Sequence, residues 1–241
     1  MSLRHLLGGI AFLALATLPA KAVVLQATDV GASGTTTIQG FVDVNGQATS
    51  IPGLTGSLYL EYDGLTNGGL TWNFDYTVTN TSSGTVDARL SSFALGISPN
   101  PVSATSTGLF GFAQVGNNLY PNVAGANNIV DVCFGSSFNT CGGGNGLLDG
   151  QSASGEFTLT FSTVLSSIDL QAALARFQSI DGSPFNFNGA SGVGFNVGDV
   201  NITPFAVPGP IVGAGLPGLV SALFGMLGFN YFRRRRHLAT A

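Results

Sequence analysis

Residues 70–80 read LTWNFDYTVTN. Leu70, Trp72, Phe74, Tyr76 and Val78 alternate with Thr71, Asn73, Asp75, Thr77 and Thr79. Successive side chains of a strand point to opposite faces, so this period of two makes one apolar face and one wet face, as a half-buried antiparallel strand requires. The segment from Asn80 to Gly84, rich in Ser and Thr, predicts the turn that ends it.

Weaker versions of the pattern lie on both sides. Ile38 to Val44, Ser57 to Tyr62, Phe93 to Ile97, Leu109 to Val115, Ile129 to Phe134, Phe157 to Phe161 and Val193 to Val197 are short and separated by Gly, Asn, Pro or Ser. Many short strands with such punctuation predict an all-β fold, an antiparallel β-sandwich or jelly-roll-like single domain. Leu170 to Ile180 fits either a helical face or a strand side, and is assigned to a strand preceded by a helical turn. The glycines at 142, 143, 144 and 146 lack the Lys-Ser/Thr ending of a phosphate cradle and read as a surface loop.

The two ends of the 241-residue chain differ from its middle. Arg4 and His5 precede an apolar run from Leu6 to Leu18, and Pro19 leads into Ala20-Lys21-Ala22. Charge, apolar core and small residues in that order predict a secretory signal peptide over 1–22, with Ala20 and Ala22 forming the cleavage site. At the other end, the uncharged stretch from Ile211 to Phe232 is long enough to cross a bilayer as a transmembrane helix, and Arg233, Arg234, Arg235 and Arg236 close it. The positive-inside rule keeps that basic cluster cytoplasmic and the preceding domain on the far side. An exported domain over 23–206 is therefore expected, followed by an anchor over 207–241.

All 12 acidic residues fall between Asp29 and Asp199, where Arg89 and Arg176 are the only cations, so two positive against twelve negative charges leave −10 there against −4 for the whole chain. That excludes nucleic acid as a partner and leaves neutral glycans and divalent cations open. Cys133 and Cys141 are the only cysteines. In an oxidising compartment a close pair predicts a disulfide over two free thiols, contributing about 2.5 kcal/mol in the chain-entropy description.

Between residues 23 and 206 there is neither histidine nor lysine. Histidine-based triads, histidine metal centres and Schiff-base chemistry are thereby excluded, and no cofactor is expected. Glu61 and Asp63, two apart on one strand face, are the only candidates for paired-carboxylate glycosidase chemistry, although such spacing commonly just lines a solvated face. Asp181-Gly182-Ser183 and Asn196 to Asp199 offer oxygens of the kind calcium prefers, without EF-hand spacing. Tyr59, Tyr62, Trp72, Tyr76 and Tyr120 are candidate sugar-stacking surfaces, with core packing the default for Trp72 and Tyr76.

The tail carries more specific information. Val207-Pro208-Gly209-Pro210, then Gly213-Ala214-Gly215-Leu216-Pro217-Gly218-Leu219, an apolar span and four arginines resemble the PEP-CTERM sorting signals recognised by exosortases. Gly209 stands where that family usually carries glutamate. The resemblance implies export through the Sec translocon, processing by signal peptidase, transient anchoring in the inner membrane, cleavage near 208–210 by an exosortase-like membrane peptidase, and delivery to the cell surface or exopolysaccharide matrix. Val132-Cys133 through Cys141-Gly142-Gly143-Gly144, with Gly146-Leu147 and Gly155-Glu156-Phe157-Thr158-Leu159, is similar to the cysteine-pair PEP-CTERM group called the cistern family, which has no assigned enzymatic role. The function expected is thus a non-enzymatic structural or adhesive protein of the envelope or biofilm matrix. The alternatives are a carbohydrate-binding module, with or without calcium, and a carboxylate-only glycoside hydrolase.

Overall fold

The computed structural model describes residues 23–44, 47–116, 119, 129–137, 141–142, 145–182, 187–196 and 202–203. The signal segment, the sorting tail, Tyr120, Ser183 and the stretch 197–201 lie outside them. Among the described residues no helix is long and apolar enough to cross a membrane.

The decisive stretch forms β4 (Thr71–Asn80), with Trp72, Phe74, Tyr76 and Val78 buried as the alternation requires. Around it the chain builds β1 (Val23–Gln26), β2 (Ser33–Val44), β3 (Gln47–Thr66), β5 (Val86–Ser98), β6 (Ser103–Ser106), β7 (Phe112–Val115), β8 (Val132–Gly135), β9 (Ser152–Thr160), β10 (Ser167–Gly182), β11 (Phe187–Asn196) and β12 (Ile202–Thr203). Every ladder is antiparallel. The strands follow one continuous path, β6-β9-β4-β3-β2-β11-β10-β5-β8-β7, with β1 added to β10 and β12 to β2. The sheet curls until its edge strands β6 and β7 lie side by side without a ladder between them, so the whole is nearly barrel-shaped.

Inside, aromatic rings bridge the two halves. Phe74 stacks on Phe157, whose ring lies 4.7 Å from Phe134, and Phe93 touches both Phe134 and Tyr76. Tyr62 stacks on Trp72 at 4.9 Å. The β5 half is covered on its outer face as well: Ala94, Leu119, Val130, Cys133, Cys141, Leu174 and Val193 form a second, smaller cluster there. Cys133 and Cys141 are at disulfide distance, with Cα atoms 6.0 Å apart, and Ser92 Oγ donates to the Cys141 carbonyl. Burial on both faces explains why β5 is longer than its alternation predicts, since a strand covered twice need not alternate.

Two local expectations change. Leu170 to Ile180 lies within strand β10, and no helical turn precedes it, because its two faces meet the central core and the outer cluster. The segment expected as a strand from Leu109 divides into a short 3₁₀ turn at Gly108–Phe110 and strand β7, which lets the chain turn from one sheet edge to the other. The Asn80–Gly84 segment does end β4, with a turn at Gly84, and carries the chain on to β5, a strand that is not a ladder neighbour of β4.

That crossover is held by Asn80, which is fully buried. Its Nδ2 donates to the carbonyls of Ala88 and Leu147 at 2.9 and 3.0 Å and to Asp149 Oδ1 at 3.2 Å, while its Oδ1 accepts from Ser82 N. Its backbone N–H and carbonyl bond Gln151 and Gly150. Asn80→Ala leaves several buried groups unpaired and is expected to lower unfolding stability by about 3 kcal/mol. The check is a guanidinium titration, where the midpoint should fall with an unchanged slope.

Candidate functional site

The outward face of β4 is the wet half of the decisive stretch, and its neighbours extend it. Register places Thr35, Tyr59, Thr77 and Ser154 in one row across β2, β3, β4 and β9, and Thr37, Ser57, Thr79 and Ser152 in the next. Towards the other end Thr71 aligns with Thr160 and Ser103, and Asn73 with Thr158 and Thr105. Adjacent hydroxyls are bonded: Thr77 to Ser154 at 2.7 Å, Thr79 to Ser152 at 2.8 Å, Thr105 to Thr158 at 2.8 Å and Thr71 to Thr160 at 3.1 Å. Each hydroxyl has one donor and two acceptor sites, so every pair keeps capacity for an external partner.

Through this array runs a single acidic row, Glu61, Asp75 and Glu156, at one cross-strand register. Like charges opposite one another in a sheet are destabilising, and none of them faces a cation in the row. Asp63 joins the same field from a bulge, where the β3–β4 register shifts between Tyr62 and Gly64. Its carboxyl is pushed above the ordinary value, first by desolvation and then by the charges of Asp75, Glu61 and Glu156. Tyr59 Oη donates to Glu61 Oε2 at 2.6 Å, which raises the phenol's pKa. Tyr59, Glu61, Asp75, Thr77, Ser154 and Glu156 line a shallow depression of about 360 Å³. Gly155, at the register of Tyr76, faces the opposite way: a Cβ there would lie 2.6 Å from the Thr107 carbonyl and 2.8 Å from Tyr76 Oη, so the close approach of β9 to that buried pair requires glycine.

Glu61 and Asp63 thus do share one face, within a larger acidic group that spacing along a single strand could not reveal. The aromatic candidates divide differently. Trp72, Tyr62 and Tyr76 are sealed in the core, and Tyr76 Oη donates inward to Thr107 O at 2.7 Å. Burial also pushes the Tyr62 hydroxyl up to about 12. Among the described candidates only Tyr59, half-buried, lies on the outer face, in the row of Thr77 and Ser154. Asp181 and Gly182 lie in strand β10 rather than in a loop, and among the described residues no three His, Cys, Asp or Glu side chains are placed to hold a metal. Cys133 and Cys141 lie on the other half of the molecule, away from this face. Ala20, Ala22, Val207, Pro208, Gly209, Pro210 and the arginines at 233–236 are outside the described residues.

Set beside known protein families, curated proteins and solved structures, the chain matches none.

The raised Asp63 pKa has a definite sign. The folded state binds this proton more tightly than the unfolded chain, so the group's contribution to stability is full at low pH and is lost as pH rises from the ordinary carboxylate value through the raised one. Asp63→Asn is therefore expected to be more stable than the native chain at pH 7 and equal to it at about pH 3, below the ordinary value. Thermal melts at the two pH values check this, and added salt should shrink the gain.

Proposed function

We propose that this chain is an exported, non-enzymatic structural or adhesive protein, sorted to the cell surface or an exopolysaccharide matrix. The observation that carries the reading is the array of paired hydroxyls on β4, β9 and β6, beside aromatics withdrawn into the core. A hydroxylated face of this kind suits extended contact with a hydroxyl-rich polymer, in which many weak bonds act together. A sandwich of jelly-roll type is the architecture proposed, and the ring contacts of Tyr76 with Phe93 and of Phe157 with Phe134 across the interior support it. Sorting rests on the resemblance of residues 207–236 to PEP-CTERM signals, with signal peptidase, the Sec translocon and an exosortase-like membrane peptidase as processing partners.

The rival is a calcium-dependent carbohydrate-binding module, for which the described residues offer no group of three metal-ligating side chains. A glycan array with and without chelator separates the two, since the lattice reading requires binding that ignores the chelator. In co-sedimentation with the matrix polysaccharide, the combined variant Thr77→Val, Thr79→Val, Ser152→Ala, Ser154→Ala should weaken retention roughly tenfold, because several parallel bonds are lost together. Unchanged retention would remove this face from consideration.

Export has its own test. Intact mass measurement of the protein recovered from its native surface is expected to show Val23 at the amino terminus, a carboxyl terminus near 208–210 and an oxidised cysteine pair. A full-length chain with Met1 and two thiols would contradict the proposal.

A further inference from the structure

Four connections meet at one end of the barrel: 27–32 between β1 and β2, 67–70 between β3 and β4, 99–102 between β5 and β6, and 161–166 between β9 and β10. They are stitched together there. Ala27 N donates to Ser166 O at 2.8 Å, Gly31 N to Tyr62 O at 2.7 Å, Phe161 N to Leu70 O at 2.9 Å and Val102 N to Thr160 O at 2.8 Å. The tips of this end carry Val30, 56% exposed, Val102, 56% exposed, and Val164, 63% exposed, the three most exposed large apolar side chains among the described residues. The segments 27–32, 63–70, 99–102 and 161–169 contain no cation; their charges are Asp29, Asp63 and Asp169.

The chain leaves the domain at this same end. Strand β12 runs antiparallel to β2, with Ile202 opposite Gly34 and Thr203 opposite Ser33, so it heads towards the 27–32 connection. Seven residues, 204–210, separate Thr203 from the apolar stretch that begins at Ile211. Seven residues reach at most about 25 Å when fully extended. A bilayer entered by 211–232 would therefore lie within that distance of Thr203, on the side of the domain that carries the valine tips.

We propose that this loop end rests on the bilayer into which the chain's own C-terminal stretch inserts, with Val30, Val102 and Val164 dipping into the interfacial layer. The inference rests on the membrane-anchor reading of 211–232. Apolar tips without neighbouring cations favour a zwitterionic surface over an anionic one, because basic residues would be needed to gain from headgroup charge. Seated this way, the hydroxylated face stands roughly upright on the membrane and remains free along its whole length.

The test uses the full chain reconstituted in phosphatidylcholine vesicles, with one environment-sensitive fluorophore on an added cysteine. Val164→Cys places it at the loop end, and Ser83→Cys places it on the exposed crossover at the opposite end. The native cysteines are paired and do not react. Brominated lipid is expected to quench the Val164→Cys label roughly threefold more than the Ser83→Cys label, as for side chains seated in the interface. Equal quenching in a chain that stays with vesicles through an alkaline wash overturns the proposal and leaves the anchor standing. Release of the chain by that wash overturns the anchor reading and the proposal with it. Shielding of the Val164→Cys label that grows with protein concentration without lipid identifies a second copy as the occupant, and also overturns it.

Discussion

The structure depends on one constraint, that aromatic side chains at every second residue of β4 must find partners on strands far away in sequence. Trp72, Phe74 and Tyr76 cannot be buried within the β3-β4-β9 half alone, because a sheet covers only its neighbours' backbones and leaves the faces open. Phe74 and Tyr76 reach Phe157 on β9, and through Phe157, Phe93 and Phe134 they meet β5 and β8. Each ring removes on the order of 150 Å² or more from water, and ring pairs add specific offset and edge contacts. Folding the sheet onto itself is the geometry that satisfies all of them together.

Everything else serves that closure. The β4–β5 crossover must pass a polar backbone through the interior edge, and Asn80 supplies donors and an acceptor where water cannot enter. The half containing β5 receives a second cover, fixed by Cys133 and Cys141, and Gly142 allows the Arg176 guanidinium to lie beneath that loop, since a Cβ there would meet it. The half containing β4 receives no cover. Its outer face can be wholly polar because its inner face already holds the apolar residues, and that division created the candidate site.

Sequence and structure agree where period two is strong. Trp72, Phe74, Tyr76 and Val78 announce their burial in the alternation itself, and the same alternation places Thr77 and Thr79 outside. β10 was ambiguous for a physical reason: Ala173, Ala175 and Phe177 pack into the main core while Leu174 joins the outer cluster, so both faces are apolar and periodicity is blurred. The sequence marks Asn80 only as a turn residue, because nothing local tells a buried asparagine from an exposed one. The acidic row was half legible. Glu61 and Asp63 could be paired along their strand, but Asp75 and Glu156 enter through cross-strand register, which one sequence does not encode in any short window.

The acidic row also bears on why the face stays free. A hydroxylated sheet face ending at the short edge strand β6 would be prone to pair with copies of itself, since open edges favour association. Glu61, Asp75 and Glu156 place negative charge in the middle of that face, with Asp63 beside them, so two copies brought face to face would oppose like charges. Desolvation first and this repulsion second hold the Asp63 pKa up and cost some folding stability, and in return the repulsion selects a neutral or cation-bearing partner over a second copy. Specificity on this surface is thus set as much by what the carboxylates repel as by what the hydroxyls can bind.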